Sequence, residues 1–178
     1  MIVVYGSTSS GKSNIAENIA VSVAQNRENL YYIATMENKS ETAKERIAHH
    51  RRLRDGKGFI TIEEELNPEC PEGVALLECV SNLVANVLFV EYGEKIIPEK
   101  KCDELALDIF GRIDNLGRNC KLVVVTNNVF GTGHTSDEWC DRYMRILGRV
   151  NELLADRCDC FVEVTAGIAN VIKGEVDL

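Results

Sequence analysis

Short runs of consecutive apolar residues alternate along this chain with longer stretches in which apolar positions recur every three or four residues. The first pattern is that of strands buried on both faces, and the second that of helices packed against them. Ile2–Tyr5, Leu30–Ala34, Phe59–Glu63, Val74–Glu78, Lys121–Thr126 and Asp159–Val164 read as strands, and 12–25, 41–54, 81–91, 101–118 and 136–156 as helices. Strand and helix alternating in this way predict a mostly parallel sheet wrapped by helices. Ser136, followed by Asp137 and Glu138, offers the last helix a cap and favourable charge at its positive end. Loops are expected at 67–73, with two prolines, and at 127–135, with Gly131 and Gly133. No repeat, low-complexity segment or linker divides the pattern, so residues 1–178 are expected to form one domain.

Between the first strand and the first helix stand Gly6, Ser7, Thr8, Ser9, Ser10, Gly11, Lys12 and Ser13, an unbroken G-x-x-x-x-G-K-[ST]. The two glycines allow successive backbone N–H groups to point at phosphate oxygens, and the helix adds its positive N-terminal end. Lys12 can reach β- and γ-phosphates, while the Ser13 hydroxyl can ligate Mg²⁺. A strand before and apolar helical spacing at Ile15, Ala16, Ile19, Ala20 and Val23 after are the context that this motif requires. The expected fold is therefore α/β and P-loop NTPase-like (RecA-like), with a nucleoside triphosphate as ligand. A second metal ligand is wanted at the end of another buried strand, and Glu78, closing Val74–Glu78, is the one internal candidate. A solvated acid at a strand end is the competing reading.

The stretch 41–54, ETAKERIAHHRRLR, is a basic block holding two of the three histidines. Ala43, Ile47, His50 and Leu53 share one helical stripe, so His50 faces inward and His49 lies about 100° away. An inward imidazole flanked by arginines is suited to nucleophilic or acid–base work on a triphosphate. From the spacing alone, a packed histidine on a solvated arginine-rich helix is the simpler reading.

Composition narrows the partners. The net charge of −8 and a pI near 5.0 argue against general binding to nucleic acid or to an anionic membrane surface. No apolar run is long enough to span a membrane, and MIVVYG runs directly into a strand, so a cytoplasmic protein is expected. The 7 cysteines are scattered without a CxxC, and several lie in apolar runs, where a reduced thiol acts as a small hydrophobe.

Taken in order, YIAT at 32–35, RIAHHRR at 46–52, FITIEEE at 59–65, LLEC at 76–79, Asn82 and Asn86, VVVTNNVFGTG at 123–133 and GRVNELLA at 148–155 give the chain a wider identity. With the phosphate loop they resemble, over nearly the whole length, the bifunctional adenosylcobinamide kinase / adenosylcobinamide-phosphate guanylyltransferase family (the CobU/CobP type) of cobalamin biosynthesis. The resemblance implies two reactions at the Gly6–Ser13 loop. One moves the γ-phosphoryl of ATP or GTP to the aminopropanol hydroxyl of adenosylcobinamide. The other attaches GMP from GTP to a histidine, which the family pattern places at His50, and passes it to adenosylcobinamide phosphate. By the same resemblance Ala34, Thr35, Met36, Arg51, Arg52, Leu53, Arg54, Glu63 and Glu78 surround the guanine nucleotide, Mg²⁺ is the metal, and the assembly is a homotrimer. The chain departs from the family pattern at Ser7 and Ser9, where glycine and arginine are usual. It departs again at Asn128 and Thr135, which replace an acid and a proline, at Phe59 in place of tryptophan, and at Glu152 in place of glutamine. Retention of one half-reaction alone, or a non-catalytic nucleotide-binding regulator, are the alternative outcomes.

Overall fold

In the computed structural model, which describes residues 1–24, 28–36, 48, 51–52, 54–129 and 137–177, the apolar runs lie side by side in one sheet. The elements are β1 (Ile2–Ser7), α1 (Lys12–Val23), β2 (Leu30–Ala34), β3 (Phe59–Glu63), β4 (Val74–Leu77), α2 (Val80–Tyr92), α3 (Cys102–Asn119), β5 (Lys121–Asn128), α4 (Glu138–Arg157), β6 (Cys160–Thr165) and β7 (Ile168–Lys173). The order across the 7-stranded sheet is β3-β2-β4-β5-β1-β6-β7. Every neighbouring pair is parallel except β6 with β7.

The central strands are apolar throughout because both faces of the sheet are covered; all of Val74–Leu77 is buried. On one face Ala16, Ile19 and Ala20 of α1 pack on Val4, Tyr32, Leu76, Val123 and Val125. On the other, Leu83, Val87, Ile109, Ile113, Ile146, Leu147 and Val150 of α2, α3 and α4 close over Val3, Ile33, Ala75, Leu77 and Val124. Each fully buried side chain of this size contributes about 1.5–3 kcal/mol. With β1 to β6 all running the same way, their C-terminal ends fall along one edge, where open α/β sheets bind ligands. Strand β5 stands between β1 and β4, so the phosphate-loop strand and the strand leading to Glu78 are not neighbours.

The expected strands form, as do the helices expected at 12–25, 81–91, 101–118 and 136–156, most with shifted ends. β1 runs two residues past Tyr5, and β5 runs on through Asn127 and Asn128, taking the start of the expected loop. β4 stops at Leu77, although the Glu78 N–H still donates to the Ile33 carbonyl at 3.0 Å. α4 starts two residues later than expected, with Asp137 as its cap: the Asp137 carboxylate accepts from the Trp139 N–H. Ser136 lies outside the described residues, as do 130–135 of the expected loop. Of the helix expected at 41–54, Ala48, Arg51, Arg52 and Arg54 are helical; the rest, His49 and His50 included, lies outside the described residues. One strand was not expected at all. β7 returns antiparallel to β6 through a two-residue turn, Ala166-Gly167, with both residues at positive φ. The seven cysteines are free thiols, and among the described residues no helix is long and apolar enough to cross a membrane.

Candidate active site

The loop after β1 is built to face an anion. Gly11 caps α1 at φ 91°, with no side chain capping the helix and no acidic residue in its first turn. The first-turn N–H groups and the positive end of the helix are thus left for an external acceptor. Ser9 also has positive φ, 60°, which bends the loop in on itself. Gly6 is required by space: a Cβ there would meet the Val164 carbonyl oxygen at 2.5 Å and Ser10 Oγ at 2.6 Å. Ser10 is 7% exposed and its hydroxyl has no hydrogen-bond partner, a deficit that a phosphate oxygen would relieve.

Lys12 Nζ donates to the Ser7 carbonyl at 3.0 Å, holding the ammonium across the loop. Burial lowers the Lys12 pKa. Cys79 is itself pushed up by burial, so it remains a neutral thiol. It lies 2.9 Å from Ser81 Oγ, which in turn accepts from Asn127 Nδ2 at 2.6 Å. Asn127, paired in register with Gly6 across β1 and β5, leaves its Oδ1 buried and unpartnered. The Thr126 hydroxyl behind it donates to Asn151 Oδ1 at 2.6 Å. This strand end carries no charge, yet the Asn127 amide joins the group around Lys12 through its hydrogen bonds to Cys79 and Ser81.

Further along the same edge, the ends of β2, β3 and β4 open into a cleft of about 380 Å³. Ala34, Met36, Arg51, Arg54, Glu63 and Glu78, all named from the sequence, line it together with Tyr32, Thr61, Glu64, Glu65 and Leu66, which were not. Arg54 is buried, and its guanidinium lies 3.4 Å from the centre of the Tyr32 ring. Tyr32 meets Phe59 edge-on at 5.8 Å. Burial first, then the Glu78 charge and hydrogen bond, hold the Tyr32 phenol protonated far above its ordinary pKa. Tyr32 therefore fixes a cation with its face and an acid with its hydroxyl, a role signalled only by its place two residues before Ala34 on the same face of β2. Arg51, at the mouth, is paired with Glu63.

Thr35 is in the named set but lines nothing: it is fully buried, with its hydroxyl on the Cys79 carbonyl at 3.1 Å. Its own carbonyl and that of Glu65 accept from Asn86 Nδ2, at 2.8 and 3.1 Å. Arg52 is exposed, and Leu53 lies outside the described residues. Lys57 binds Glu17 at 2.6 Å and Asn14 at 3.2 Å, fastening the segment that follows the basic helix to α1. The phosphate loop does not line the cleft; the two lie along one edge, with Glu78 at the near side.

A family model described as cobinamide kinase / cobinamide phosphate guanyltransferase matches residues 2–172. The chain belongs to this family. Two curated members are the bifunctional adenosylcobalamin biosynthesis proteins CobU of Escherichia coli (strain K12), 34% identical, and of Salmonella typhimurium, 32% identical. Each alignment covers 97% of this chain and 99% of the relative. CobP of Pseudomonas aeruginosa is 28% identical over 97% of this chain and 96% of its own. Among solved structures, the flagellar accessory protein FlaH of Methanocaldococcus jannaschii aligns at 16% identity and a TM-score of 0.48, over 98% of this chain and 78% of that one. As a member of the cobinamide kinase / guanyltransferase family, the chain is a transferase that uses nucleotides.

Proposed function

We propose that this enzyme phosphorylates the aminopropanol hydroxyl of adenosylcobinamide, then converts the product to adenosylcobinamide-GDP with GMP taken from GTP. The observation that carries the reading is the pairing, on one sheet edge, of an uncapped loop with a buried lysine and a cleft that presents Arg54 and Glu78 on either side of Tyr32. In the first reaction the acceptor oxygen attacks the γ-phosphorus of ATP or GTP and the nucleoside diphosphate leaves. Gly6–Ser13 is the phosphate cradle for both reactions, with Lys12 carrying developing negative charge. In the second, an imidazole nitrogen of His50 attacks the α-phosphorus of GTP, and the bond to pyrophosphate breaks. The phosphate oxygen of adenosylcobinamide phosphate then attacks the same phosphorus and releases His50. Ala34, Met36, Arg51, Arg54 and Glu63 form the guanine-nucleotide side of the site.

The donor set suits Mg²⁺. Among the described residues no group of three metal-ligating side chains occurs, and magnesium beside a nucleotide needs only one or two protein oxygens, the rest coming from phosphates and water. The Ser13 hydroxyl and the Glu78 carboxylate would hold it, and it would neutralise phosphate charge. The enzyme is read as cytoplasmic and homotrimeric.

Incubation with α-labelled GTP and Mg²⁺ tests the covalent step. Label should be acid-labile and base-stable, as a phosphoramidate is, and should be absent from His50→Ala while that variant still phosphorylates adenosylcobinamide. His49→Ala should keep most of both activities. Label mapping to His49 would overturn the assignment, and an unlabelled protein that still phosphorylates cobinamide would be a kinase alone.

A further inference from the structure

The turn between β6 and β7 lies against the phosphate loop. Ala166 and Gly167 hold φ of 51° and 81°, and the Gly167 N–H donates out of the turn to the Ser10 carbonyl at 2.8 Å. The approach is close: a Cβ on Gly11 would lie 3.3 Å from Gly167 Cα. In a planar trans peptide the carbonyl and the following N–H point in opposite directions. Drawing the Ser10 carbonyl toward the hairpin therefore turns the Gly11 N–H away from it. Gly11 is the cap of α1, so this N–H belongs to the donors that a phosphate would meet. Ile168 and Ile172 of β7 are exposed, and a Cβ on Gly167 would touch nothing within 4 Å.

We propose that the Ala166-Gly167 turn is a positioning strut: the Gly167 N–H sets the Ser10–Gly11 peptide so that the Gly11 N–H addresses the phosphate chain of the nucleotide. The inference rests on the reading of Gly6–Ser13 as the nucleotide cradle. It gives β7 a function: the antiparallel return of the chain brings the turn, and with it a backbone donor, onto the loop.

A single-atom test is accessible because Cys158 permits ligation of residues 1–157 to a synthetic 158–178. In the test chain glycolic acid replaces Gly167, so an ester oxygen stands where the N–H was; an all-amide chain made in the same way is the reference. Calorimetric titrations with GTP, GDP and GMP, with Tm measured alongside, give the readout. The ester should weaken GTP and GDP by about tenfold, the scale of one lost hydrogen bond, and leave GMP, with a single phosphate, within about twofold. Gly167→Val, which has room for its side chain but strains a β-branched residue at positive φ, should show the same preference for polyphosphates in its loss. Equal factors for GTP and GMP, or no change in either, would overturn the strut. If the all-amide reference itself binds no GTP, the cradle reading fails and the strut with it.

Discussion

Lys12 carries two demands that pull against each other. Burial disfavours its ammonium, yet a polyphosphate needs that charge. Lys12→Ala should lower both phosphoryl and guanylyl transfer by about 10²–10³, as the loss of a contact to developing charge does; turnover near wild type would break the shared-cradle reading. The lowered pKa also fixes the sign of a pH effect. Between the folded and unfolded pKa values the folded chain holds fewer protons at this site, so its contribution to stability rises with pH there. Phosphate binding runs the other way. Affinity for inorganic tripolyphosphate, titrated over about pH 7 to 11 to span the ordinary lysine value, should fall as pH rises and converge on that of Lys12→Ala. Parallel curves for the two proteins would show that Lys12 does not hold the phosphate. Glu78 is bound up with Tyr32, and a glutamine keeps an acceptor for that hydroxyl. Glu78→Gln should fold normally while raising the Mg²⁺ concentration needed for nucleotide binding about tenfold or more, the lower end of what losing a supporting group around a metal costs. Overlaid Mg²⁺ titrations would return Glu78 to the role of a surface acid.

At the level of elements, the ends of β2 and β3 are tied by one side chain. Asn86 of α2 donates to the Thr35 and Glu65 carbonyls, so Asn86→Ala strands two acceptors under the cleft. A cost of about 1–3 kcal/mol is expected, which in a chain of this size is roughly a 2–12 °C fall in Tm, with weaker nucleotide binding; an unchanged melting curve would mean that water replaces the amide freely. The central strands were legible because burial on both faces writes an uninterrupted apolar run, and Leu30–Ala34 was read to the residue, as was the more exposed edge strand Phe59–Glu63. β7 was not legible. Its Ile-Ala-Asn-Val-Ile-Lys alternates weakly at an exposed edge, and the turn before it is Ala-Gly, without the asparagine or aspartate that marks such hairpins. The phosphate loop was legible because its backbone geometry demands glycine at fixed spacing. Tyr32 and Asn127 were not, since their contacts cross from β2 to the basic helix and from β5 to α2, and no local spacing records such a meeting.

For the whole molecule, a net charge of −8 coexists with a polyanion as proposed substrate, so local fields decide: the buried Lys12, the α1 terminus and Arg54 act within a few ångströms, while the acids elsewhere are screened over a Debye length of about 8–10 Å. The proposed homotrimer belongs to this scale too, and sedimentation equilibrium should return three times the 19.8 kDa chain mass; a single-chain mass at micromolar concentration would refute it.

The interposed β5 sets a distance. From β1 to β2 the edge crosses β5 and β4, three strand spacings of about 4.8 Å, or roughly 14 Å. A nucleotide with its phosphates in the loop and its base in the cleft has to reach across that width, which makes it a bivalent ligand held by two weak grips joined through its own covalent backbone. Its affinity then owes much to the link, because the second grip closes at the high effective concentration set by the first. Cutting the bond between the α- and β-phosphates severs the link. In the proposed reaction pyrophosphate is left with one grip and departs, and the guanylyl half stays behind only because a nitrogen–phosphorus bond has replaced the tether.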